Sequence, residues 1–60
     1  MKYRKGDSYN LTDGGILEIV DVRSSGVDAV LITEIGDYIE YDDVSQSTID
    51  SLIKVRSGGS

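Results

Sequence analysis

Five residue types are missing from these sixty residues: Cys, His, Pro, Trp and Phe. Without Cys and His the chain has no thiolate nucleophile, imidazole base, disulfide framework or soft-metal ligand set. Long apolar runs are missing too. None approaches the roughly 18 residues that a membrane-spanning helix needs, and no apolar signal-peptide core follows the basic start. Positive charge is scarce: six Lys or Arg stand against eleven Asp or Glu, a formal charge of −5. So short a chain buries only about 60 % of its unfolded surface, which limits its stability to roughly 3–5 kcal/mol.

What is present belongs to a folded domain. Hydrophobic residues make up 38 % of the chain. They are Ile, Val and Leu in runs, whereas disordered acidic chains lack β-branched residues. The missing disulfides suit a reducing cytoplasm, and a small soluble cytoplasmic domain is the expectation. Charge is unevenly placed. Lys2, Arg4 and Lys5 crowd the start, and Lys54 and Arg56 lie near the end. Between them, Asp7 to Asp50 holds all eleven acids and one base, Arg23, for a local charge of −10. Such a body serves solubility, repels nucleic-acid backbones and attracts basic partners.

Along the chain, Lys5-Gly6-Asp7 reads as a turn and Ser8 to Leu11 as a short strand. Thr12-Asp13-Gly14-Gly15 is the strongest turn signal. Ile16 to Arg23 is a long β run whose acids, Glu18 and Asp21, are three apart. A single period of two therefore fails near Ile19-Val20, which predicts a bulge or bend there. After the loop Ser24-Ser25-Gly26, Val27 to Glu34 returns as a strand, with Ala29-Val30-Leu31-Ile32 expected to be buried from both sides. Ile35-Gly36-Asp37 turns again. Tyr38 to Tyr41 follows as a fourth strand, placing Ile39 and Tyr41 on one face and Tyr38 and Glu40 on the other.

The period then changes. Ser47 with Asp50 three residues on looks like a capping box, and Ile49, Leu52 and Ile53 supply about one helical turn. Lys54-Val55-Arg56 is expected to close a fifth strand, and residues 57–60, Ser-Gly-Gly-Ser, to form a flexible tail. These elements predict an all-β fold, a single five-stranded barrel over residues 1–56 with one short helical turn before its last strand. Its interior would hold Leu17, Ile19, Val22, Val30, Ile32, Ile39 and Leu52. A filled barrel binds on its outside.

The order Gly6-Asp7, short strand, Gly14-Gly15, the run Ile16–Val22, the return Val27–Ile32, Gly36, the strand Tyr38–Tyr41 and the turn Thr48–Leu52 resembles the SH3-like small β-barrels. These include bacterial and phage KOW-type modules. The resemblance covers about residues 5 to 56 and implies a non-catalytic interaction role. Two departures narrow it. Trp and the aromatic–acidic first loop of a polyproline-binding groove are absent, and the basic loop surface of RNA-binding KOW modules is replaced by an acidic body.

Catalytic and ligand signals are weak. Glu34, Asp37, Glu40, Asp42 and Asp43 could divide acid and base duties or hold a hard cation. In a strand-and-loop setting, without an EF-hand pattern, they read as solvated surface charges. No cofactor or metal is expected. Gly14-Gly15 lacks a phosphate-loop context. Two binding surfaces remain. Glu34, Asp37, Tyr38, Glu40, Asp42 and Asp43 make an acidic–aromatic stripe suited to a protein partner with a basic surface. The alternative is a nucleic-acid contact through Lys2, Tyr3, Arg4, Lys5, Lys54 and Arg56, merged into one basic edge with Tyr3 as a stacking platform. The acidic body disfavours the alternative. The missing residue types and the Ser-Gly-Gly-Ser end also fit a designed barrel without function, against which the irregular segment Ser45–Ser51 argues.

Overall fold

The computed structural model describes residues 2–56, with side chains over 2–54. Its elements are β1 (Ser8–Asn10), β2 (Ile16–Val22), β3 (Val27–Ile32), β4 (Tyr38–Val44) and α1 (Gln46–Arg56). The four strands form one open antiparallel meander in the order β1-β2-β3-β4, so β1 and β4 are its edges. The five-stranded barrel expected from the sequence requires a strand over residues 54–56. Those residues are instead the last turn of α1. The expected tail, residues 57–60, lies outside the described residues.

Each turn follows from its local residues. Around Thr12-Asp13-Gly14, the Gly14 N–H donates to the Leu11 carbonyl at 3.0 Å and the Leu11 N–H to the Gly15 carbonyl at 2.8 Å. Gly14 has φ 92°, the left-handed position that closes a three-residue hairpin and that a Cβ disfavours. The β3–β4 hairpin repeats this geometry between Thr33 and Asp37, with bonds of 2.9 Å. The β2–β3 hairpin is tighter, with Arg23 and Gly26 exchanging backbone bonds of 2.8 and 3.2 Å across Ser24-Ser25.

The bulge expected near Ile19-Val20 is present. The β2–β3 register runs Ile19↔Ala29 and then Asp21↔Asp28, leaving Val20 as the extra residue. That slip reconciles the spacing of the acids with a two-sided strand. Leu17, Ile19 and Val22 all turn toward the helix-covered face, while Glu18 is exposed. A second irregularity lies between Val27 and Ala29, opposite Val44 and Tyr41. There Asp43 takes φ 54°, a conformation that Asp tolerates better than most residues.

The core comprises Tyr3, Leu11, Leu17, Ile19, Val27, Ala29, Leu31 and Ile49. Strand β3 alternates strictly: Val27, Ala29 and Leu31 are buried, and Asp28, Val30 and Ile32 are half-buried. The expectation of two-sided burial for β3, with Val30 and Ile32 inside, is thereby corrected. One helix covers one face, so only every second residue of the run is enclosed. Ile39 does share the face of Leu31, yet it is 38 % exposed. It sits five residues up the edge strand from the end at which α1 begins. Val22, Tyr41 and Leu52 pack against the core without full burial.

The helix begins two residues earlier than the Ser47–Asp50 pattern implies. Ser45 is its cap, accepting from the Thr48 N–H at 3.2 Å through Oγ and at 3.0 Å through its carbonyl. The longer helix lets Ile49 reach the core fully, with Leu52 and Ile53 on its margin. Asp50 is thereby freed from capping for a different use.

Candidate functional site

The uncovered face of the sheet is built by register. Ile16 pairs with Ile32 and Ile32 with Tyr38, one apolar row across three strands. The next row is Ser8, Glu18, Val30 and Glu40. Beyond it, the bulged Val20 joins Asp28, Val30, Glu40 and Asp42 around a shallow hollow of about 140 Å³. Ile16, Val20 and Tyr38 are 39 %, 44 % and 71 % exposed. Ile35, in the β3–β4 turn, is 80 % exposed. An antiparallel sheet can leave one face to water, but such a face is normally polar. Here Ile16, Ile32 and Tyr38 form an apolar row, and in the row beside it Val30 stands between Glu18 and Glu40.

The acidic–aromatic stripe read from the sequence is thus divided by the structure. Tyr38, Glu40 and Asp42 share the open face through their two-residue spacing. Glu34 and Asp37 lie exposed in the hairpin at one end of β4. The Glu34 side chain leans against Gly14, where an added Cβ would stand 2.9 Å from its Oε2. Asp43 has another task. Its backbone N–H donates to Asp28 Oδ1 at 2.7 Å, its own Oδ1 accepts from Ser25 Oγ at 2.8 Å, and Arg23 lies 3.8 Å away. Arg23 also pairs with Asp28. This clasp ties the β2–β3 hairpin to β4, and it explains Gly26, whose added Cβ would fall 2.8 Å from the Asp43 carbonyl carbon.

The basic ends do meet, but differently from the expected edge. A groove of about 290 Å³ is lined by Lys2, Tyr3, Tyr9, Asp50, Ile53 and Lys54, joined by the helix rather than by a closing strand. Tyr3 is 2 % exposed. It meets Tyr9 edge-on, with ring centroids 5.8 Å apart at 86°, and its hydroxyl donates to Asp50. A ring so enclosed is unsuited to stacking on a base, which corrects the role expected of it. Lys2 pairs with Asp50 at 3.0 Å, and Arg4 and Lys5 are exposed in the first turn. Lys54 is exposed beside the groove. The Arg56 side chain lies outside the described ones.

Electrostatics support the latch between Tyr3 and α1. Burial first, and the Asp50 carboxylate second, push the Tyr3 hydroxyl well above the usual tyrosine range. The hydrogen bonds from Tyr3 and then Lys2 hold Asp50 below the usual carboxylate range. Among the described residues no cluster of three or more metal-ligating side chains occurs, and no helix is long and apolar enough to cross a membrane. The sequence reading missed Ile16, Glu18, Val20, Val30 and Ile32 as surface residues of interest. The signal was the unbroken apolar run of β3, half of which must face away from any single covering layer.

No protein-family model matches this chain, and neither does any curated protein or solved structure.

Proposed function

We propose that this protein is a non-catalytic interaction module that takes a basic protein partner on the open face of its sheet, along β4. The observation that carries this reading is the placement of exposed Tyr38, Glu40 and Asp42 on one face, beside the half-exposed Ile16 and Val20. Tyr offers contact area at low entropic cost, and acids at the border of an apolar patch speed and orient the approach of a basic surface. The resemblance to small SH3-like modules implies the same kind of role, binding through an outer surface around a filled interior. Nucleic acid fits less well, because Tyr3 is enclosed, Lys2 is already paired and the body carries −10.

Charge reversal tests the reading. The triple variant Asp37→Lys, Glu40→Lys, Asp42→Lys leaves the core and the Asp43 clasp untouched, so its circular dichroism spectrum should stay that of the parent. Capture of basic proteins from a bacterial lysate at low salt should fall by an order of magnitude or more. Capture that stays the same in the variant refutes the acidic face.

A further inference from the structure

Resting on that reading, we infer that the occupant of the open face is an amphipathic helix with a basic border, laid lengthwise over β3 and spanning β2 to β4 in width, with its apolar stripe on Ile16, Ile32, Tyr38 and Val30. The dimensions agree. Strands lie about 4.8 Å apart, so Ile16 and Tyr38 are separated by roughly 10 Å, the width of a helix with its side chains. Along β4, Tyr38 to Asp42 spans about 14 Å, the length of some nine helical residues at 1.5 Å each. The sheet already accepts one such element. α1 lays a stripe of Ile49, Leu52 and Ile53 on the opposite face, and sheets close their apolar faces in this way.

Charge selects the partner. Across β3, Val30 has Glu18 on its β2 side and Glu40, with Asp42 farther along β4, on the other. A helix whose apolar stripe is bordered by Lys or Arg on both sides meets an acid at each border. A second copy of this chain would not. In a two-fold interface through this face, Glu18, Glu40 and Asp42 would oppose the same acids, between molecules of charge −5. Strand addition on the β4 edge is also disfavoured. Asp43 at φ 54° and the irregularity opposite Val27 and Ala29 break the edge where a ladder would extend, and an added strand would leave the apolar rows uncovered.

The test uses two synthetic peptides of about fourteen residues with one Leu/Lys composition. In one, Leu recurs at i, i+3, i+4 and i+7; in the other the order is scrambled so that no stripe forms. Binding to the isotope-labelled protein is followed by NMR in about 0.15 M salt. The striped peptide should bind at least about tenfold tighter, with shifts centred on Ile16, Val30, Ile32 and Tyr38. The double variant Ile32→Thr, Tyr38→Thr should lose at least about tenfold while keeping its circular dichroism spectrum. Should that pair disturb the fold, Ile16→Thr, at a site more exposed than Ile32, should still weaken the striped peptide several-fold. Equal binding of both peptides would overturn the helix while leaving the acidic face standing. No binding of either would remove both. Shifts confined to the β4 edge or to the Lys2–Tyr9 groove would overturn the assignment, as would self-association mapped to the same rows.

Discussion

The two faces of this sheet draw on the same strands and nearly the same apolar residue types, yet they meet different fates. On the covered face Leu17, Ile19, Ala29 and Leu31 lie under α1 and the Tyr3 segment, all at 2 % exposure or less. On the open face Ile16, Val20, Val30 and Ile32 stand beside Glu18, Glu40 and Asp42 and keep part of their surface in water. The difference is the covering layer. An eleven-residue helix with one apolar stripe can close one side of a four-stranded sheet, and nothing else among the described residues covers the other side. One face therefore carries stability, while the other keeps its apolar residues partly in water.

The largest effect should come from breaking the covered face. Ile49 is the α1 side chain that is fully buried, and Ile49→Ala should cost about 2–5 kcal/mol, comparable to the whole stability of a domain this size. Urea unfolding at 25 °C should find the variant largely unfolded without denaturant. A folded variant would show that α1 is not what closes that face. Next is Gly26→Ala, where the new methyl meets the Asp43 backbone, in a hairpin that the Arg23 clasp does not let move freely. A loss of about 1–3 kcal/mol is expected, and a neutral result would mean that β4 shifts readily at its bulge.

Tyr3→Phe keeps the ring in place and removes the hydroxyl bond to Asp50, for about 1 kcal/mol near neutral pH. The linkage gives it a second signature. Asp50 has a lowered folded pKa, so its contribution is present above the ordinary value of 3.8 and is lost as pH falls through the folded value. Tyr3 has a raised one, so its contribution is full below the ordinary value of 10.0 and is lost as pH rises toward the folded value. Thermal midpoints of the parent should therefore drop at both extremes. In Tyr3→Phe the alkaline part contributed by this hydroxyl disappears, and the acid drop shrinks to what Lys2 still supplies. Parallel profiles for the two proteins would dissolve the latch. The smallest effect on stability belongs to the open face. Tyr38→Thr, at a residue 71 % exposed, should change unfolding by no more than about 0.5 kcal/mol while weakening binding of the striped peptide. A large destabilisation would mean that the open face is also part of the core.

Local signals in the sequence were sufficient for much of the sheet. Asp13-Gly14 and Gly36 mark turns because left-handed backbone needs small or polar residues, and the three-residue spacing of Glu18 and Asp21 required the bulge at Val20. The sharing of one face by Tyr38 and Glu40 also followed from the period of two. The last segment was less legible. Ser47 with Asp50 suits a cap by spacing, and Lys54-Val55-Arg56 suits a strand by composition, so only the docking of Ile49 extends the helix over Gln46–Arg56. Tyr3 was the main miss. Amid Lys2, Arg4 and Lys5 it looks like a surface ring, and its partner Asp50 is 47 residues away.

By itself the sequence determined that this is a small acidic β protein without thiol, imidazole or disulfide chemistry, where its turns fall and where its long strand slips. Those properties reside in residue type and in spacings of two to four residues. Tertiary structure alone decided that the sheet stays open, that Tyr3 is core, that Asp43 serves a hairpin clasp, and which half of each apolar run faces outward. Alternation sorts a strand into two sides without naming the buried one. That choice is made by where α1 packs, a long-range contact that no local pattern encodes.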